Sequence, residues 1–239
     1  RASAKRITVV MPFYPYARQD KKHLGREPIS ARLIADMFKT AGADRLMSVD
    51  LHTAQIQGFF DGPVDHLFAL PLLAEYLESK LDTSRVTIVS PDAGRVRVAE
   101  RWTDRLNSPL AIIHKRRDPM VANEVKVHEV VGDVKGRTCI LVDDMIDTAG
   151  TITKAAEALF DNGAAEVVVA ATHAVLSGPA VDRLKNSPIT EVVVTNTLPV
   201  PEDRRFDKLT ELPIAPLLAR AISEVFEDGS VTSLFNGAS

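Results

Sequence analysis

The sequence contains a single cysteine, Cys139, and no apolar run approaching the ~18–20 residues that a helix needs to cross a bilayer. It has no surplus of basic charge either: 29 Lys and Arg stand against 32 Asp and Glu, for a net charge of -3. Each shortage excludes something. One thiol rules out a disulfide framework within the chain, and its place in the apolar run TCILV (138–142) marks it as a small core residue. The charge balance gives no reason to expect nucleic acid or a lipid surface as a partner. No signal peptide pattern is visible, so a soluble, reducing, cytoplasmic setting is the default expectation. No repeat, low-complexity tract, Walker A loop, Gly-x-Ser-x-Gly elbow or zinc-type His/Cys spacing appears.

What the chain does have is 239 residues, 45% of them hydrophobic, enough for one large core or two modest ones. Short β-branched runs alternate with longer amphipathic stretches. Strands are expected at Ile7–Met11, Leu46–Asp50, Val86–Ser90, Leu110–His114, Thr138–Val142, Glu166–Ala171 and Glu191–Thr195. Helices are expected from Pro28 to Gly42, over Leu70–Leu81, Gly94–Leu106 and Thr151–Asn162, briefly before Glu191, and over Ala215–Phe226. In the first of these, Ile29, Leu33, Ile34, Met37, Phe38 and Ala41 form the apolar stripe. The alternation predicts an α/β fold with mainly parallel sheets flanked by helices. A boundary between two α/β units is expected near Asp61–Leu70, where Gly62-Pro63 interrupts the pattern. The charged stretch HKRRDPMVANEVKVHE (114–129) reads as a long exposed loop or flap with an extended segment near its end.

Ligands of open α/β sheets sit beyond the carboxyl ends of the strands, and four such ends here carry chemistry. In LVDDMIDTAGT (141–151), Thr148-Ala149-Gly150-Thr151 leads into a helix whose free N–H groups and dipole favour a phosphate. Asp143 and Asp144 just before it suit sugar hydroxyls or a metal. The plainer alternative is an acidic turn with a Thr or Asp N-cap. Asp50 and His52 in VDLHTAQ, two apart on a strand, share a face and with Asp92 of VSPDAGR suit a divalent cation; a lone strand-end histidine is more often a structural hydrogen-bonder. The clusters ARQD (17–20) and HKRR (114–117) suit phosphate oxygens, or are solvated surface.

Nine stretches, PYARQD, REPISA, DLHTAQIQGFFDGPVDHL, VSPDAG, IHKRR, LVDDMIDTAGT, THAVLSGPA, VVVTNT and SVTSLF, lie in one order over nearly the whole chain. Together they resemble the ribose-phosphate pyrophosphokinase family, in its common phosphate-activated class. The resemblance implies two phosphoribosyltransferase-like domains: residues 1–66, with 225–239 packed against them, on the ATP side, and 67–224 binding ribose 5-phosphate. It implies transfer of a diphosphoryl group from ATP to ribose 5-phosphate with Mg²⁺, in nucleotide biosynthesis, by a homo-oligomer of dimers assembling to a hexamer. Residue by residue, it implies ribose hydroxyl contacts at Asp143 and Asp144, and a 5-phosphate cradle at Asp147, Thr148, Ala149, Gly150 and Thr151. It further implies ATP contacts at Arg18 and Gln19, metal ligands at His52, Asp92 and Asp50 (Asp61 and Asp65 in some members), and catalytic cations at Lys115 and Arg117. Ser230 and Thr232 fall in the segment where phosphate and ADP act as allosteric effectors.

Departures from the family pattern carry expectations of their own. The family has a further segment ahead of Arg1, with a Phe-x-x-Gly-Glu stretch contacting adenine in a neighbouring subunit. The chain is thus expected to hold part of its first domain and part of its ATP site. Leu24 stands where a basic residue is common, Arg95 where a second glycine is frequent, and Ala149 for a frequent glycine, a change expected to be mild. Two other readings remain. A phosphoribosyltransferase would share the 143–151 loop without needing ARQD or DLH, and a non-catalytic regulatory paralogue would show damage at the flap, where KRR is intact.

Overall fold

The structure, a computed structural model, describes residues 3–22, 24–117 and 126–235, with 115–117 and 126–128 described by their backbone alone. The chain divides into two compact units, 1–69 with 214–239, and 70–213. Among the described residues, no helix is long and apolar enough to cross a membrane.

The first unit carries a parallel sheet of three strands in the order β1 (Thr8–Val10), β2 (Arg45–Val49) and β3 (Val64–Leu67). Between β1 and β2 runs α1 (Ser30–Ala41), closed by Gly42 in the left-handed region (φ 102°), where a side chain would be strained. Ala31 and Ala35 are fully buried, with Ile34 and Phe38 packed on the same core, while Leu33 and Met37 are 59% and 58% exposed. Positions 33 and 37 lie about 200° around the helix from 31 and 35, so the buried stripe is narrower than the apolar one. The final helix, α6 (Ala215–Phe226), belongs wholly to this unit, as does the turn Val231–Phe235 that packs beside it. β3 lies in the 61–70 stretch that reads as an interruption; its four residues are too few to announce themselves.

The second unit is built on seven strands in the order β10-β9-β8-β7-β4-β5-β6. Here β4 is Val86–Ser90, β5 Leu110–Arg117, β6 Lys126–Val131, β7 Thr138–Ile146, β8 Glu166–Ala174, β9 Glu191–Thr195 and β10 Leu209–Leu212. All neighbours pair in parallel except β5 and β6, an antiparallel pair at one edge. Helices α2 (Leu70–Lys80), α3 (Val96–Leu106), α4 (Gly150–Asp161) and α5 (Ala180–Asn186) connect the strands. The central strands are nearly continuous apolar runs, with Val89, Ile140, Leu141, Val142, Val168 and Val169 all buried, as strands covered on both faces require. Gly163, at φ 86°, ends α4 and turns the chain toward β8.

Two elements differ from the sequence expectation in ways that matter. β7 runs through Asp143 and Asp144 to Ile146, so the two carboxylates belong to the strand itself. The stretch read as a flap begins as an extension of β5, with Lys115 in register with His128 and Arg117 with Lys126. Charge does not prevent strand pairing at a sheet edge, where the side chains can reach water. Residues 118–125 lie outside the described residues.

Candidate sugar-phosphate and nucleotide sites

From β4 the chain proceeds outward through β5 and β6, and from β7 outward the other way through β8, β9 and β10. The order reverses between β4 and β7, and the two strands are parallel, so their carboxyl ends open on the same edge. Such a switch point leaves a crevice that connecting chain does not cross. The segments that follow these two strands contain Asp92 and Arg95 on one side and Asp143–Thr151 on the other.

Asp144 is 5% exposed and Asp143 18% in their side chains, and Arg95 reaches both from the end of the turn Ala93–Arg95. Arg95 Nε stands 3.2 Å from Asp143 Oδ1, and Nη2 stands 2.8 Å from Asp144 Oδ1. The second contact is charge pairing without hydrogen-bond alignment. Asp143 Oδ1 also accepts the Asp144 N–H at 2.8 Å. Burial, and then the neighbouring Asp144 charge, hold the Asp143 carboxyl well above its usual range, against the opposing pull of Arg95.

Beyond β7 the chain turns sharply. Ala149 takes the left-handed conformation (φ 60°, ψ 0°) and is 5% exposed, directly ahead of α4. That conformation costs a residue with a β-carbon about 1–2 kcal/mol. The alanine-for-glycine departure is therefore strained rather than mild. No side chain caps α4 and its first turn holds no acidic residue, so its leading N–H groups and dipole suit an anion. The loop is held from behind: Leu176 N–H donates to Ile146 C=O and Ser177 N–H to Asp147 C=O, both at 2.9 Å. Arg183, on α5, donates from Nη1 to the Thr148 carbonyl at 2.9 Å, and a β-carbon on Gly150 would lie 3.1 Å from that nitrogen. Nothing in the sequence singles out Arg183; a lone arginine on a short helix has no motif.

Asp92 caps its own turn, with Oδ1 accepting the Gly94 N–H at 2.8 Å; among the described residues Oδ2 accepts no hydrogen bond. Lys115 and Arg117 are placed by backbone only, and their side chains lie outside the described residues.

In the first unit, PYARQD is pinned at both ends. Tyr14 Oη donates to Ala31 C=O at 2.7 Å, and burial, then the charge of Asp36, pushes its phenol up to about 12. Asp20, 4% exposed, accepts Thr53 Oγ1 at 2.6 Å and Gln55 Nε2 at 3.0 Å, while Gln19 C=O accepts the Ala31 N–H. Arg18 and Gln19, between these anchors, are exposed. The DLH turn is fixed similarly: Asp50 is at φ 40° and its Oδ2 accepts the Ala69 N–H at 2.9 Å. Leu51 N–H donates to His66 Nε2 at 2.9 Å, a positioning role that spacing alone does not reveal. Both oxygens of Asp65 are taken by Arg45 Nη1 at 2.9 Å. Ser230 and Thr232 hydrogen-bond each other at 2.8 Å, and Thr232 lines a shallow pocket with His66, Phe68 and Phe235.

Among the described residues, no three His, Cys, Asp or Glu side chains stand close enough to form a metal cage. Magnesium commonly takes one or two carboxylates and completes its shell with phosphate oxygens and water. The second oxygen of Asp92 suits that shared mode of binding.

Residues 115–236 match the family described as the phosphoribosyl synthetase-associated domain, and residues 1–42 match the N-terminal domain of ribose phosphate pyrophosphokinase. A ribose-phosphate pyrophosphokinase of Streptomyces coelicolor is 73% identical over 236 residues, covering 99% of this chain and 73% of that protein. One from Mycobacterium tuberculosis is 64% identical over 238 residues, with the same coverage. The crystal structure of phosphoribosylpyrophosphate synthetase from Mycobacterium smegmatis superposes with a TM-score of 0.88 at 62% identity, over 95% of this chain and 74% of that one. The chain belongs to the ribose-phosphate pyrophosphokinase family of diphosphate transferases.

Proposed function

We propose that this chain transfers the β,γ-diphosphoryl group of ATP to the 1-hydroxyl of D-ribose 5-phosphate, giving 5-phospho-α-D-ribose 1-diphosphate and AMP. The observation that carries this reading is the pairing of a buried diacid with an uncapped helix N-terminus on the carboxyl edge of the β4–β7 switch point. That arrangement offers hydroxyl acceptors beside an anion seat, which is the polarity of a sugar phosphate.

Asp143 and Asp144 accept the ribose hydroxyls, and Asp147, Thr148, Ala149, Gly150 and Thr151 cradle the 5-phosphate. Arg18 and Gln19, stiffened by the Tyr14 and Asp20 anchors, contact ATP. Asp92 would hold magnesium arriving with the nucleotide, which supplies charge neutralisation on the phosphates, and His52 and Asp50 would serve as metal ligands in their own unit. The 1-hydroxyl oxygen bonds to the β-phosphorus while the bond from that phosphorus to the α–β bridging oxygen breaks. The bridging oxygen departs with AMP, and the hydroxyl proton is released. Lys115 and Arg117 stabilise the charge that develops on the bridge, so the protein contributes position and electrostatics rather than a covalent intermediate. Phosphate and ADP act as effectors around Ser230 and Thr232, in a homo-oligomer of dimers that assembles to a hexamer in the cytoplasm.

Phosphorus NMR of the protein with ATP, Mg²⁺, phosphate and ribose 5-phosphate tests the reading directly. AMP appearing together with a new sugar-diphosphate signal is the expected result. ADP in place of AMP would make the protein a simple kinase. Sugar phosphate bound without turnover would favour a regulatory paralogue.

A further inference from the structure

Two buried carboxylates side by side need a compensating charge, and in this chain a side chain supplies it. Arg95 is 17% exposed and spans the pair with two different nitrogens, 3.2 Å to Asp143 and 2.8 Å to Asp144. It reaches them because Asp92 caps the Ala93–Arg95 turn through the Gly94 N–H, and the Arg95 N–H itself returns to Asp92 C=O at 3.3 Å. The turn follows β4, the carboxylates stand on β7, and these are the two strands that flank the switch point. The guanidinium charge lies close to both acids, so it offsets their mutual repulsion and lets them stand side by side. Each carboxylate has about four acceptor positions on its two oxygens, the chemistry that suits sugar hydroxyls.

A divalent cation is the usual alternative counter-charge for such a pair. Here the guanidinium of Arg95 already stands at that position, 3.2 Å from one acid and 2.8 Å from the other. We propose that Arg95 is the built-in counter-cation of the Asp143–Asp144 pair, a positioning residue that sets both carboxylates for the ribose hydroxyls, so that ribose 5-phosphate binds without a divalent ion at this pair. The inference rests on the sugar-phosphate reading of the 143–151 loop.

Titration calorimetry of ribose 5-phosphate into the purified chain, once in EDTA and once with Mn²⁺, tests it. The unmodified chain is expected to bind with the same affinity in both. Arg95→Ala should lose about tenfold or more in EDTA, the scale of a lost charged hydrogen bond, and recover on addition of Mn²⁺. Arg95→Lys should keep most of the affinity in EDTA, because a cation remains. A purely structural role would move neither the Mn²⁺ rescue nor the lysine variant in this way.

Folding is followed separately, since Arg95→Ala strands a buried charge. Its melting temperature should fall, and the double variant Arg95→Ala/Asp144→Asn should regain it without regaining sugar affinity in EDTA. Unmodified binding that requires Mn²⁺, Arg95→Ala binding normally in EDTA, or a loss that neither Mn²⁺ nor lysine repairs would each overturn the inference. So would a double variant that melts as low as the single. If the unmodified chain binds no ribose 5-phosphate under either condition, the sugar-phosphate reading fails and the inference fails with it.

Discussion

At the scale of single residues, the 143–151 stretch trades stability for chemistry in two places. Asp143 sits in an apolar strand end beside a second carboxylate, and its pKa is raised above 3.8 by burial first and by Asp144 second. A raised carboxyl pKa means the folded chain holds the proton more tightly than the unfolded one. The group therefore subtracts nothing below 3.8, and its penalty grows as pH rises through the folded value. Asp143→Asn is predicted to raise the melting temperature of the ligand-free chain at pH 7–8, with the gain shrinking toward pH 4, while ribose 5-phosphate affinity falls. Calorimetric melts across that range check it, and a pH-independent shift would mean packing rather than ionisation is responsible. Ala149 carries the second strain, a β-carbon in a left-handed turn. Ala149→Gly should stabilise the chain by about 1 kcal/mol in urea unfolding, since glycine accepts that backbone without a clash. An unchanged or lower midpoint would show that the tight turn is relaxed by its neighbours. The acids stood out in the sequence, because two carboxylates ending an apolar run need compensation, even though a capped acidic turn was the plainer reading. Their partner Arg95 was visible only as a departure from a glycine, and Arg183 not at all, because both act across the fold from distant segments.

At the scale of elements, periodicity found the strands and helices with strong patterns and misjudged those that end in charge. β7 was expected to stop at Val142, and it continues to Ile146 because β8 pairs with it as far as Ala174. β5 was expected to stop at His114, and it continues through Arg117 because β6 runs antiparallel beside it. In both cases the backbone ladder, which one strand's own sequence cannot reveal, overrides the change from apolar to polar side chains. The second case carries function on the proposed reading, since a paired strand delivers Lys115 and Arg117 more reproducibly than an open loop would. Lys115→Ala is predicted to reduce turnover by about 100-fold or more while leaving ribose 5-phosphate affinity within a few-fold, as loss of one transition-state charge contact implies. Steady-state kinetics beside equilibrium binding separate the two. Equal losses in both would mean that the hairpin helps to bind the sugar phosphate and that its charge is not reserved for the transferred group.

At the scale of the whole molecule, the alternation of strands and helices announced parallel α/β architecture, and the order of the strands was beyond its reach. That order is what brings together the parts of the proposed sugar-phosphate site. Because β4 and β7 are neighbours while the chain leaves them in opposite directions, Arg95 and the diacid meet although 48 residues or more separate them along the sequence. The same logic divides the work: the residues proposed for the sugar phosphate stand in the unit formed by 70–213, and Arg18 and Gln19 in the one formed by 1–69 with 214–239. Hydrogen exchange can therefore separate the two ligands. Ribose 5-phosphate alone should slow exchange of the amides in 148–151, which face the proposed anion, and of 176–177, whose bonds to Ile146 and Asp147 hold the loop in place. Amides in 14–20 should respond little to the sugar phosphate and clearly to ATP with Mg²⁺. The comparison is informative because the two segments belong to different units of the chain. Protection of 14–20 by ribose 5-phosphate alone, with 148–151 unchanged, would reverse the assignment and move the sugar phosphate to the first unit.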